Sequence, residues 1–417
     1  MDGSSQRAVI TGMGTVNSIG KNVPDFSQAL KTGECGIGPV TLFDTSGYRT
    51  QVAGEVREFD PTRVIPVEFS LKRMSRSDRM AMAATVEALT QAGLFPLPEH
   101  LREDAGVVIG GGAGGMPEAE DFFDRYLRTQ GRRARFSKLS SLYCSSTADH
   151  IASKLGLMGP KTSLMTACSS SATAIGFAGD LIRMGAASLV LAGGTEPLSR
   201  ITFASFNALR AMDPDYCKPF DRGRRGLSLG EGAGIMVIEA FDHARDRGAR
   251  ILGEVLGYGV TGDAHHMTAP DPTGSGAARS MIAALEDSGI APGRVDYINA
   301  HGTATPANDL METRAIKEVF GDHAYRIPVS STKSMTGHAL GAAGAIESIA
   351  CVCVLEQGFV PPTIHLVEAD PECDLDYVTG RARYGDIRIA LSNSFAFGGN
   401  NTTLVLGRFT EKGIVHE

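Results

Sequence analysis

The chain has 417 residues, an ordinary apolar content of 42%, 50 glycines and a formal charge of −7. That length calls for more than one typical domain or one unusually large core. The acidic balance argues against non-specific nucleic-acid binding, yet leaves room for a local basic patch facing an acidic partner. The seven cysteines are scattered, with Cys351 and Cys353 the one close pair. No CxxC or His-rich zinc spacing occurs, which reads as reduced thiols in a cytoplasmic protein without a metal site. A polar N-terminus entering a strand at residues 7–11 reads as no signal peptide, and no apolar run looks long enough to span a bilayer.

The first apolar strand, residues 8–10, leads into Gly12-Met13-Gly14. A helix is expected over 23–31, and 43–63 is irregular and polar. Ser77-Asp78 then caps an amphipathic helix over 79–92, ended by Gly93. A strand at 106–109 runs into the glycine run 110–115. No phosphate-binding frame fits that run, so close backbone packing beside a site is the better reading. Residues 116–138 read as a helix and a basic loop. Further strands are expected at 188–192 and 232–239, and a new unit begins near 251, after a charged segment. There the pattern restarts: helix 277–288, strand 295–299, helix 309–320, short strand 329–331, small-residue helix 341–355, and closing strands 387–392 and 402–406. Two halves, 1–250 and 251–417, echo each other. Helices so poor in charge should be buried on all sides. Alternating β and α elements predict mostly parallel sheets covered by helices, in an α/β/α/β/α layering.

Thr166-Ala167-Cys168-Ser169-Ser170-Ser171 lies between a short strand and a small-residue helix over 172–184. A thiol at such a turn sees the positive end of a helix dipole, which favours the thiolate. A lone cysteine in apolar surroundings is more often a small core residue. Partners decide between the two readings. His301 follows a strand in Asn299-Ala300-His301-Gly302-Thr303-Ala304-Thr305, and His338 ends Lys333-Ser334-Met335-Thr336-Gly337-His338. Both fall at the carboxyl ends of expected strands, where open α/β sheets bind ligands. Lys333 and Glu312 form a candidate buried pair that would orient His301. Asn393-Ser394-Phe395-Ala396-Phe397-Gly398-Gly399 can present backbone N–H groups and a movable aromatic.

These motifs, with Gly262-Asp263-Ala264-His265-His266-Met267-Thr268 and Gly341-Ala342-Ala343-Gly344-Ala345-Ile346-Glu347, resemble those of the type II β-ketoacyl-[acyl carrier protein] synthases of the thiolase-like superfamily. The resemblance runs nearly end to end. It implies a five-layered α/β/α/β/α sandwich from two pseudo-repeated halves, and a decarboxylating Claisen condensation. Cys168 would hold the acyl group, and His301 and His338 would stabilise the enolate derived from a malonyl thioester. The N–H groups of Cys168 and Phe397 would form an oxyanion hole. Lys333 with Glu312 would support His301, and Phe397 would be the gatekeeping aromatic. Thr268, Thr303 and Thr305 match positions that contact the pantetheine arm. Lys72, Arg73, Arg76, Arg132, Arg133 and Arg210 match the region that meets an acidic acyl carrier protein.

No metal or redox cofactor is implied, because the substrates ride on the carrier's 4′-phosphopantetheine and CO2 loss drives the bond. The partners implied are the carrier protein and a second ketosynthase subunit, identical or of the chain-length-factor type. Three features depart from the family pattern: Ala396 between the two phenylalanines, the serines after Cys168, and His265 where an aromatic is common. They bear on which acyl chain is used, in fatty acid or polyketide synthesis. A non-condensing chain-length-determining subunit would lack the cysteine. A thiolase would use a second cysteine in place of the paired histidines.

Overall fold

The computed structural model describes residues 6–411. Its framework is a ten-stranded sheet. The strands are β1 (Ala8–Asn17), β2 (Gly106–Gly110), β3 (Lys161–Leu164), β4 (Leu189–Glu196), β5 (Gly232–Ala240), β6 (Gly253–Gly262), β7 (Tyr297–Asn299), β8 (Val329–Ser330), β9 (Ile389–Phe395) and β10 (Asn400–Gly407). Their order is β8-β7-β9-β10-β6-β1-β5-β4-β2-β3. Read outward from the β1–β6 seam, both halves follow one pattern. β1–β5 and β5–β4 are antiparallel, then β4–β2 and β2–β3 are parallel. Likewise β6–β10 and β10–β9 are antiparallel, then β9–β7 and β7–β8 are parallel. The internal repeat read from the sequence is therefore present in the topology. The expectation of mostly parallel pairing is corrected. β1 and β5 are buried along their whole length, so, like parallel strands, they show no apolar/polar alternation without being parallel.

Two helices, Ser170–Arg183 and Ala343–Gln357, lie between the two halves and touch both. The helices Arg76–Gln91 and Ser146–Leu155 cover the outer face of the first half, and Ser275–Ser288 with Pro306–Phe320 covers the second. The result is the five-layered α/β/α/β/α sandwich. Residues Ala343 to Leu355 are buried without exception. A Cβ on Gly344 would sit 2.6 Å from the backbone nitrogen of Ala172, so the central helices meet through their backbones and need small residues there. The stretch Leu340–Gln357 is long and apolar enough to cross a membrane, contrary to the sequence expectation, but 83% of it is buried in this layer. It is a core helix.

The sequence reading placed the cap of helix Arg76–Gln91 two residues late. Ser75 is the N-cap and forms a capping box with Asp78. Helices Ser146–Leu155 and Arg200–Ala208 were not anticipated.

Candidate active site

β3 ends at Leu164 and the chain turns sharply before the central helix. Ala167 takes a positive φ of 54°, and a short 3-10 turn, Ala167–Ser169, places Cys168 at the helix start. The serines that follow knit this turn. The Ser169 hydroxyl donates to the Thr166 carbonyl at 2.8 Å and the Ser170 hydroxyl to the Ala167 carbonyl at 2.6 Å. Ser171 Oγ accepts from the Ala345 N–H at 2.9 Å, tying on the second central helix. The serine run thus has a structural cause.

Cys168 is 7% exposed. Burial pushes its thiol up to about 12, against the opposing pull of Lys333 and of the N–H groups of Phe397 and Cys168 itself. The helix start alone led to the opposite expectation; desolvation outweighs it. Alkylation of Cys168 by iodoacetamide should therefore rise about tenfold per pH unit between about pH 6 and 9 without levelling. Rates followed by intact mass check this, and a plateau near neutrality would contradict it.

His301 lies two residues past β7, at the carboxyl edge of the sheet. The loop that carries it is strained, with positive φ at Gly302 and Ala304. Two carboxylates from the first turns of helix Pro306–Phe320 hold it. Glu312 accepts the N–H groups of His301 and Gly302, both at 2.8 Å, and Asp309 accepts that of Ala304 at 3.1 Å. Burial pushes the Glu312 carboxyl up to about 7 against these bonds. Glu312 therefore positions His301 through the backbone and does not pair with Lys333. The partner of the buried Lys333 ammonium is Glu347, on the central helix Ala343–Gln357. This corrects the pairing expected from sequence.

His338 is fixed by its own backbone. Its N–H donates to the Ser228 carbonyl at 2.7 Å, and its carbonyl accepts from Gly230 at 2.8 Å. The rings of His301 and His338 meet edge-on with centroids 5.3 Å apart. Ligand atoms of Cys168, His301 and His338 all lie within 4.8 Å of one another. Burial, with Lys333 nearby, holds both imidazoles well below the usual histidine value. Burial thus favours their neutral forms, and His301 Nδ1 and both ring nitrogens of His338 have no protein partner. Such a group could also bind a soft metal ion. An ion there would occupy a lone pair of the Cys168 sulfur.

A cavity of about 310 Å³ opens onto these three residues. Its wall includes Phe206, Arg210, Thr268, Thr303, Thr305, Phe395, Ala396 and Phe397. All three threonines singled out from the sequence thus line the approach, and the Thr303 and Thr305 hydroxyls share a 3.0 Å bond. The Phe397 N–H is near enough to the Cys168 sulfur to pull its thiol down. Gly398 and Gly399 take φ of 82° and 74°, whereas Ala396 is extended (φ −111°, ψ 157°) and accommodates its Cβ without strain. Of the basic residues, Lys72, Arg73, Arg132, Arg133 and Arg210 are exposed. Arg76 is not available to a partner: its guanidinium is bound by Glu231 at 2.6 and 2.8 Å and by the Val56 carbonyl at 2.7 Å.

Sequence reasoning missed Glu196 and Glu347. Glu196 ends β4 and is buried; it accepts the N–H groups of Gly112, Ala113 and Gly341 at 2.9, 2.6 and 3.1 Å. The glycine run thus cradles the chain's own Glu196 carboxyl, which burial raises to about 7 against these three bonds. A lone acid closing an apolar strand, or set in an apolar helix like Glu347, was the available signal.

Comparison with known proteins agrees with this geometry. Residues 5–244 match the model of the beta-ketoacyl synthase N-terminal domain, and residues 252–367 that of the C-terminal domain. The chain belongs to the β-ketoacyl synthase family. Members are acyltransferases that join an acyl group to a malonyl-derived unit with loss of CO2, in fatty acid or polyketide elongation, and this chain is a condensing enzyme of that kind. It is 45% identical over 411 residues to the 3-oxoacyl-[acyl-carrier-protein] synthase 2 of Synechocystis sp., covering 97% of this chain and 98% of that one. Among solved structures, the ishigamide ketosynthase/chain length factor superposes with a TM-score of 0.92 at 38% identity, over 98% of this chain and 100% of that one. A type II polyketide ketosynthase in complex with its acyl-carrier protein gives 0.87 at 33% identity, over 98% and 100%.

Proposed function

We propose that this β-ketoacyl synthase elongates acyl chains delivered by an acidic acyl carrier protein, with Cys168 as the acyl-holding nucleophile. The observation that carries this reading is the convergence of the Cys168 sulfur, the buried imidazoles of His301 and His338, and Phe397 on one cavity. In the first half-reaction the Cys168 sulfur adds to the acyl thioester carbonyl. The N–H groups of Cys168 and Phe397 take the developing oxyanion, and the pantetheine thiol leaves with the proton that Cys168 gives up. In the second, the malonyl thioester loses CO2 and its oxygen gathers charge beside His301 and His338. Neutral imidazoles suit this step, since each offers one N–H without a positive charge to desolvate. The enolate carbon attacks the acyl-cysteine carbonyl, 3-oxoacyl-carrier departs, and the sulfur regains a proton.

CO2 release drives the reaction, so the proposal requires no metal or redox cofactor. Thr268, Thr303 and Thr305 would bind the pantetheine arm. Lys72, Arg73, Arg132, Arg133 and Arg210 would steer the carrier. A second ketosynthase subunit, identical or of the chain-length-factor type, would pair along the edge strand β3, around which Met158, Met165, Phe177 and Met184 are exposed. Seven free cysteines suit the reducing cytoplasm.

Incubation with malonyl-carrier and acyl-carriers of graded chain length should give the corresponding 3-oxoacyl-carriers, read by mass. A protein that condenses none of them, alone or with its partner subunit, would contradict the proposal. The non-condensing alternative would then be favoured.

A further inference from the structure

The Phe397 ring is not free beside the cavity. It stacks on Phe206 with centroids 5.7 Å apart and planes inclined by 13°. The two sides of this stack differ in rigidity. Phe206 stands on helix Arg200–Ala208, which is anchored one turn earlier by the fully buried Phe203. Phe203 in turn is gripped edge-on by Phe43 at 5.5 Å and Tyr48 at 5.8 Å. Phe397 stands on a turn whose next two residues, Gly398 and Gly399, have positive φ, a backbone with little steric resistance to rearrangement. Five bonds hold that turn, none of them made by the Phe397 ring: Ala396 N–H to the Asn400 carbonyl at 2.9 Å, Gly398 N–H to the Met267 carbonyl at 2.8 Å, Gly399 N–H to the Ala396 carbonyl at 3.0 Å, Asp263 N–H to the Gly399 carbonyl at 3.0 Å, and the Asn400 side-chain amide to the Phe397 carbonyl at 3.4 Å.

We propose that Phe206 is a positioning residue: a fixed post whose stack with Phe397 latches the turn with the Phe397 N–H aimed at the Cys168 sulfur. The ring and the N–H belong to one residue, so holding the ring in place holds the donor in place. The latch rests on the acyl-transfer role given above to Cys168 and Phe397. It acts on the first half-reaction. The histidines that serve decarboxylation hang on other elements, the β7–Glu312 loop and the Ser228–Gly230 contact.

The test is single-turnover acylation of Cys168 by saturating acyl-carrier, followed by intact mass, with malonyl-carrier decarboxylation measured alongside. Phe206→Ala, and the bulkier Phe206→Leu that protects the fold, should slow acylation roughly three- to tenfold, the span of one aromatic stack. Decarboxylation should stay within about twofold, and Phe206→Tyr, which keeps the stack, should acylate like the parent. Phe397→Ala and the double Phe206→Ala/Phe397→Ala variant should be equally slow, since either change removes the same contact. Unchanged acylation in Phe206→Ala and Phe206→Leu, an equal fall in both half-reactions, or multiplied losses in the double variant would overturn the latch. A parent protein that takes up no acyl group would instead overturn the acyl-transfer reading on which the latch rests.

Discussion

Cys168→Ala protein is expected to fold normally and to take up no acyl group from any carrier. The side chain is small and buried at the start of a helix whose turn is held by Ser169, Ser170 and Ser171. Alanine keeps the Cβ, so the stability loss should be about 1 kcal/mol or less. Activity should fall far more, because removing a nucleophile that works as a unit with its neighbours costs on the order of a millionfold. Thermal unfolding and intact mass on the same sample separate the two effects. Residual condensation near the parent rate would show that the acyl group is never held on this sulfur.

Lys333→Ala should be the most destabilising single change at the site. The Lys333 ammonium and the Glu347 carboxylate are both almost wholly buried and paired with each other. Removing one partner leaves the other charge buried alone, at a cost of about 3–5 kcal/mol. Removing both, as in Lys333→Met/Glu347→Leu, should recover much of that loss. Condensation should remain impaired in the double variant, because Lys333 acts electrostatically on His301, His338 and Cys168.

The pH dependence has a definite sign. Burial already raises the Glu347 carboxyl from 4.5 to about 7 in the presence of Lys333, and it rises further without the ammonium. A carboxyl raised on folding favours the fold while protonated, and that contribution is lost as pH climbs through the folded value. Between about pH 4.5 and 7 that loss is shared by parent and variant, so the deficit of Lys333→Ala should be flat up to about pH 7 and grow above it. Denaturant midpoints at several pH values measure it, and a deficit that shrinks as pH rises would contradict the assignment of Glu347 as the partner.

Much of this site was legible in the residues. Cys168, His301 and His338 each come shortly after a strand (Lys161–Leu164, Tyr297–Asn299 and Val329–Ser330) and before a helix, so their common edge of the sheet follows from the βα order. The small-residue helices announced their own burial. What escaped was long-range pairing. Glu312 lies on the same helix face as Asp309, and both serve the backbone of the preceding loop; spacing identifies the shared face but not the loop's strain. Lys333 finds Glu347 only because the chain folds back through His338 into the central helix. Strand direction escaped for another reason: β1 and β5 are buried on both faces, which erases the alternation that marks antiparallel strands. The protonation of Cys168 depends on burial, which no local motif encodes.

The most direct measurement is the intact mass of the parent protein through one catalytic cycle. Incubation with acyl-carrier should add the mass of one acyl group, located to the peptide bearing Cys168. Addition of malonyl-carrier should then discharge it as 3-oxoacyl-carrier with one equivalent of CO2. An acyl group that forms elsewhere, or a Cys168 adduct that malonyl-carrier never discharges, would contradict the central claim that Cys168, His301 and His338 form one condensing site.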